Sequence, residues 1–451
     1  MDGRAAVLRW IEVIRDGFDA ALSAVQRLPM ESDPAVADRV AAIIADVRNR
    51  GDDALLDLGR QYDSATLSSL EIPRSEWRAA HEAVPEALRL ALDRMAAAIR
   101  RFHEPQRRTD WSICHDGRRM GQLRRPLERV GIYVPGGQAL YPSTVLMCGI
   151  PAAVAGVSEI ILCTPSMSDG SVHGSILYAA NLIGARSVYR VGGAQAIAAM
   201  ALGTESVPRV DKIVGPGNVY VCEAKRRLWG AVDMDMVAGP SEVCIVADGA
   251  ADEGFIAADM ITQAEHDADC AALLITPDGA LAERVKGSLE AQLATLPRAA
   301  TARTALDRHG AIVITRSLDE AMVLANACAP EHLSLMVSEP YTTLGQVRNA
   351  GAVMMGRWTP QTAGDYIAGP SHTLPTGGSA RFWSPIMVDS FMKTTNYMMF
   401  DAAALLEDAD VMRTMARAEG LSGHASAVDV RVNTVRSDRC ADTGGRKEHG
   451  R

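Results

Sequence analysis

The sequence predicts an α/β protein whose parallel sheet falls into two halves behind a helical N-terminal region. Three observations lead there. From about residue 120, short β-branched runs alternate with Ala-rich helical stretches, and Gly or Pro marks the junctions, as in GVSEIILCTP, ILYAANLIGA, SVYRVGG, AQAIAAMALG and DKIVGPG. That alternation is the pattern of βαβ units. It resumes after VAGPSEVCIVAD, which gives the second half. Small aliphatic residues dominate: 48% of the 451 residues are hydrophobic and only 5% aromatic, which suits helices packed closely on a sheet.

In chain order, residues 5 to about 103 read as helices. Val36, Val40, Ile43, Ile44 and Val47 recur at helical spacing, with charged positions between them. The first α/β half follows. In the second, FIAADMITQAEH and LDEAMVLANACA are helical, 279–295 is a long helix, and AALLITPD and AIVIT are strands. After Thr376 come a Gly-rich stretch, a Met- and Ala-rich helix over 402–418, and a polar end, SDRCADTGGRKEHGR, expected to be disordered. No internal repeat is visible.

A net charge of -9 leaves no basic surplus for a phosphate backbone or an anionic bilayer, which argues against nucleic acid and membrane as partners. The most apolar run, Ser143 to Val157, is interrupted by Pro151 and is too short for a bilayer. The start lacks the features of a signal peptide. Eight cysteines without CxxC spacing fit reduced core residues of a cytoplasmic chain.

Three Gly-rich junctions follow strands: YVPGG (Tyr133 to Gly137), VGGAQA (Val191 to Ala196) and VGPGN (Val214 to Asn218). Glycine there lets a backbone approach a phosphate at a helix N-terminus. Singly each is equally an ordinary tight turn, and none is a GxGxxG; three in one half point to a nucleotide site. In QAEHD, Gln263 and His266 share one helix face and are able to grip a metal ion, although a lone QxxH is more simply a surface histidine. Asp365 and His424 would complete an N/O ligand set that suits Zn²⁺ without excluding Mn²⁺ or Co²⁺. APEH places Glu331 beside His332, a carboxylate and an imidazole suited to proton transfer, though the dipeptide alone is common. His372 and Glu419 are further polar groups in turns.

Taken together, PLERVGIYVPGG, YPSTVLM, VGGAQAIAA, VDKIVGPGNVYV, DMVAGPSE, AADMITQAEHD, APEHL, GDYIAGPSHTLPTGGSARF and AEGLSGHA resemble the histidinol dehydrogenase family, from about residue 30 to 432. The resemblance implies NAD-dependent four-electron oxidation of L-histidinol to L-histidine through bound L-histidinaldehyde, the last two steps of histidine biosynthesis. It implies one Zn²⁺ per subunit held by Gln263, His266, Asp365 and His424, with Glu331 and His332 as acid/base pair. Ser241, His372 and Glu419 would contact substrate along with the zinc ligands and His332, and Tyr133, Gln195 and Asn218 would contact NAD.

The fold implied is two incomplete Rossmann-like domains, 119–235 for NAD and 236–376 for zinc and catalysis. A helical N-terminal region (1–118), a small C-terminal helical arm (377–432) and a disordered tail (433–451) complete the chain. The arm would cross to a partner in a homodimer with shared active sites. A slightly long loop, MSDGSVHG, and the Met-rich FWSPIMVDSFMKTTNYMMF depart from the family away from every ligand position. The nearest rival is a paralogous dehydrogenase of another small alcohol, such as sulfopropanediol; a binding protein without catalysis would lack Glu331 or His332, and both are present.

Overall fold

The computed structural model of the chain describes residues 8–27, 33–136, 140–237 and 239–444. It divides into two compact units, one of residues 1–107 and 126–391 and one of residues 108–125 and 392–451.

In chain order the strands begin with β1 (Arg9–Glu12), then β2 (Trp111–His115) and β3 (Arg118–Pro126). Next, β4 (Arg129–Tyr133), β5 (Glu159–Thr164), β6 (Ser187–Arg190), β7 (Lys212–Val214) and β8 (Asp233–Met234) form a parallel sheet in the order β6-β5-β4-β7-β8. Then β9 (Glu242–Ala247), β10 (Ala271–Thr276), β11 (Ala311–Ile314), β12 (His332–Met336) and β13 (Ala352–Met355) join β1 in a second parallel sheet, β1-β11-β10-β9-β12-β13. Counted from β4 and from β9, both halves repeat one strand order, reversing between β4 and β7 and between β9 and β12. Such reversals open a crevice between the flanking connections.

Period-two alternation builds the second half. Val243, Ile245 and Ala247 of β9 face one core, with Ile256, Met260, Leu281, Val285 and Leu306 of the helices Glu253–Ala264, Gly279–Leu293 and Ala299–His309. Cys244 and Val246 face the other, with Ala21, Val25, Met322 and Ala325 of Phe18–Val25 and Leu318–Cys328. Both faces are covered, so the strand reads as an unbroken apolar run. In the first half, Val40, Ile44 and Val47 of helix Pro34–Arg50 pack into the core that contains Ile161, Ile197 and Ile213.

Four sequence expectations change. The N-terminal region is not wholly helical: β1 pairs in parallel with β11, and β2 pairs with β3 in a hairpin turned at Asp116 (φ 45°) and Gly117 (φ 74°). Pro151 does not break its run, because one helix spans Pro142–Ala155 with Pro151 inside it. The Met-rich segment contains strand β14 (Met392–Phe400), a neighbour of β3. Finally, the polar end continues as helix Ser422–Gly444, whereas residues 445–451 lie outside the described residues.

Within the second unit, helix Ala402–Ala418 packs beside Ser422–Gly444, and Arg413 pairs with Asp429 at 2.6 Å. Arg118 of β3 bonds Asp408 at 2.8 Å and Glu407 at 2.9 Å. Six cysteines (148, 163, 222, 244, 270 and 328) are buried and unbridged, and Cys114 is exposed. Among the described residues, no helix is long and apolar enough to cross a membrane.

Candidate active site

The residues singled out in the second half meet at the amino edge of its sheet. Helix Glu253–Ala264 follows β9 and runs back along the sheet, so Gln263 in its last turn and His266 just beyond return to the edge where β9 and β12 begin. Helix Leu318–Cys328 ends at Ala329, a non-glycine residue in the left-handed region (φ 49°, ψ 57°). This conformation costs an L-residue roughly 1–2 kcal/mol. The turn delivers Glu331 and His332 to the start of β12.

β9 then fixes both groups. The Glu242 N–H donates to Glu331 Oε2 at 2.9 Å, and His332 Nδ1 lies 3.2 Å from the Glu242 carbonyl oxygen. A carbonyl only accepts, so Nδ1 carries the proton and Nε2 of the neutral ring holds a free lone pair. That Nε2 is 3.9 Å from Asp365 Oδ1. Burial lowers the His332 pKa, partly offset by Asp365, and so disfavours the charged ring.

Burial pushes the Glu331 carboxyl up to about 8, against hydrogen bonds from the Glu242 N–H and the Ser241 hydroxyl. A second buried carboxyl lies behind it. Glu242 is 1% exposed, is pushed up to about 7 by burial, and is opposed chiefly by Arg27 at 3.6 Å. His372 Nδ1 donates to the Asp365 carbonyl at 3.2 Å, and its Nε2 is 3.5 Å from Thr144 Oγ1; burial takes its pKa down to about 4.

Gln263, His266 and Asp365 offer N and O donors on the elements that reach this edge. His266 is exposed, yet the surrounding protein lowers its pKa by desolvation and so favours a neutral nitrogen donor. Burial raises the Asp365 pKa, the state of a carboxylate short of positive charge. Gln263 Nε2 is buried with only the Cys270 thiol beside it. Among the described residues, no three His, Cys, Asp or Glu side chains form a metal cluster. Glu419 and His424 belong to the second unit, where both are exposed. Glu419 caps helix Ala402–Ala418, Gly420 (φ 74°) ends it, and His424 starts the next helix.

The three Gly-rich junctions lie at the carboxyl edge of the first sheet, after β4, β6 and β7. Gly137 falls outside the described residues. Tyr133, Gln195 and Asn218 line one cavity of 420 Å³ there, with Asp63, Gly193 and Tyr220. Tyr133 is buried and its hydroxyl accepts the Gly193 N–H at 3.1 Å. Asn218 Oδ1 caps the next helix, accepting from Tyr220 and Val221 N–H at 3.1 and 3.2 Å, which leaves its amide NH₂ for a ligand. Gly215 (φ 116°) cannot be replaced quietly, because a Cβ would sit 2.1 Å from the Tyr133 carbonyl oxygen.

Motif reading does not reach several groups that shape these places. Lys225 Nζ donates to Asp235 Oδ1 at 2.6 Å and to the Gly215 carbonyl at 2.5 Å, while Asp235 Oδ2 accepts the Gly215 N–H at 2.7 Å. This buried pair clamps the VGPGN turn. Asp63, Glu242, Asp259 and Gln361 likewise carry no signature spacing, since each is identified only by what lies opposite it in space.

Known proteins share this sequence and fold along most of the chain. The sequence profile of the histidinol dehydrogenase family matches residues 26–432. The histidinol dehydrogenase of Halalkalibacterium halodurans is 47% identical over 398 residues, 88% of this chain and 94% of the relative. That of Geobacter sulfurreducens is 45% identical over 94% of this chain and 100% of its own length. The crystal structure of histidinol dehydrogenase from Elizabethkingia anophelis superimposes with a TM-score of 0.92 at 36% identity, covering 96% of this chain and 100% of that one. With relatives matched nearly end to end and both α/β halves shared, the chain belongs to the histidinol dehydrogenase family.

Proposed function

We propose that this chain oxidises L-histidinol to L-histidine in two NAD⁺-dependent steps, through an L-histidinaldehyde that stays bound, as the last two steps of histidine biosynthesis. The observation that carries the reading is the adjacent pair Glu331 and His332, held by one residue of the neighbouring strand with the free imidazole Nε2 facing Asp365.

In the first step His332 Nε2 takes the alcohol proton as the carbinol carbon gives a hydride to NAD⁺. In the second, Glu331 takes a proton from water as its oxygen adds to the aldehyde carbon, and His332 returns its proton to the aldehyde oxygen to give the hydrate. His332 then takes a proton from the hydrate while a second hydride leaves to a second NAD⁺. One alcohol, one water and two NAD⁺ thus become one carboxylate, two NADH and three protons. A carboxyl raised to about 8 is a strong base once ionised, which suits removal of a water proton. Ser241 and His372 would contact substrate.

Gln263, His266 and Asp365 would hold one Zn²⁺ per subunit, completed by His424 of the partner subunit in a homodimer, with Glu419 of the partner subunit contacting substrate. Bound there, zinc would anchor the imidazole and amino nitrogens of histidinol. Tyr133, Gln195 and Asn218 would contact NAD in the 420 Å³ cavity. Residues 119–235 and 236–376 would be the NAD and catalytic domains, and 377–432 the arm reaching the partner. The buried thiols suit a cytoplasmic location.

The test offers L-histidinol and, separately, dihydroxypropanesulfonate to the zinc-loaded enzyme with NAD⁺. Reduction with L-histidinol is expected; reduction with the sulfonate alone would move the chain to a paralogous activity.

A further inference from the structure

We propose that Gln361 is a positioning residue that turns the Gln263 side-chain carbonyl oxygen toward the metal position; the inference rests on the zinc reading above. The two amides meet across 98 residues of chain, each 1% exposed, and are 2.7 Å apart between Gln361 Nε2 and Gln263 Oε1. Two amides can share one hydrogen bond in either sense. In the sense with Gln361 as donor, Gln361 Oε1 is buried without a partner and Gln263 Nε2 has only the weakly accepting Cys270 thiol beside it.

Asp259 adds a further unsatisfied atom. It lies one turn before Gln263 on helix Glu253–Ala264, its carboxylate accepts the Gln361 backbone N–H, and its Oδ2 has no partner. Reversing both amides keeps the shared bond, now from Gln263 Nε2 to Gln361 Oε1. Gln361 then carries a free NH₂ in place of an orphan acceptor, on the residue whose backbone already donates to Asp259. Gln263 presents an oxygen where it had an NH₂ with only the Cys270 thiol to donate to. Only that oxygen is able to ligate, because the amide nitrogen lone pair is delocalised. Gln361 also opens the short helix Gln361–Tyr366, one turn before Asp365, so a single element sets the Asp365 ligand and the partner of the Gln263 ligand.

The experiment measures zinc affinity of the metal-stripped full-length protein by competition with a chromophoric chelator at pH 8, for wild type, Gln361→Leu, Gln361→Glu and Gln263→Leu. Melting of each metal-free variant is followed in parallel. Gln361→Leu removes the acceptor and should weaken zinc roughly 10- to 100-fold. Gln361→Glu, acceptor-only when ionised, should hold Gln263 in the ligating sense and stay within about threefold of wild type, by the same reasoning. Wild-type affinity in Gln361→Leu overturns the proposal. So does a loss in Gln361→Glu as large as in Gln263→Leu, and this second arm stands even if Gln361→Leu melts early. Wild-type protein that takes up no zinc removes the zinc reading and this inference together.

Discussion

His332 Nδ1 and the carbonyl oxygen of Glu242 are 3.2 Å apart, and this contact between two parallel strands fixes which imidazole nitrogen is free. The Glu242 N–H holds the Glu331 carboxylate in turn. One residue of β9 thereby orients both proton-transfer groups.

These groups should separate kinetically. His332→Asn should slow oxidation of both L-histidinol and supplied L-histidinaldehyde, by about 10²–10⁴-fold each. Glu331→Gln should act mainly on the aldehyde, where water must be activated. Single-turnover measurement of NADH with each substrate distinguishes the two, and equal losses on both steps for Glu331→Gln would show its role to be misassigned.

The raised Glu331 pKa carries a stability consequence. Below about pH 4.5 the carboxyl is protonated whether folded or unfolded, and stability is unaffected. As pH rises toward about 8 the unfolded chain ionises while the folded one retains its proton, so its contribution to folding is lost across that window. Metal-free Glu331→Gln should therefore melt near wild type at pH 5 and above it at pH 8. A difference that shrinks with pH contradicts the buried, proton-retaining carboxyl.

The Lys225–Asp235 pair lies under the VGPGN turn with side chains 3% and 1% exposed. Lys225→Met leaves Asp235 buried and unpaired, which costs about 3–5 kcal/mol. It should also raise KM for NAD⁺ more than KM for L-histidinol, because Asn218 caps the helix that follows the turn. Denaturant melts and separate KM values check both parts; an unchanged KM for NAD⁺ in folded variant would detach the clamp from the cavity.

Much of this was legible in the sequence because the information is local. Gly or Pro at each βα junction, β-branched runs and the apolar spacing of Val40, Ile44 and Val47 require no knowledge of distant partners. The 402–418 helix, ended by Gly420, reads the same way. β1 does not, because its four residues become a strand only by pairing with β11 about 300 residues later. Asp116-Gly117 is a hairpin signal that does lie in the sequence, and its left-handed φ values mark the β2–β3 turn. Pro151 stays inside a helix because packing of its buried neighbours outweighs one lost backbone bond. At the site, Glu331 and His332 stand out as a dipeptide. Gln361, Asp259 and Glu242 acquire meaning only from the atoms opposite them.

Subunit mixing addresses the shared site. If His424 acts in trans, His424→Ala mixed with His332→Asn should regain activity, since one of the two hybrid sites receives both intact residues. Each heterodimer should reach about half the activity of a wild-type dimer, the statistical share of intact sites. Confirmed subunit exchange without recovery would assign all the zinc ligands to one chain.

The most direct measurement is the count of NADH formed per L-histidinol consumed, with the product identified. The account predicts two NADH and L-histidine, with no free aldehyde released between the steps. One NADH per alcohol, with L-histidinaldehyde accumulating in solution, would contradict it.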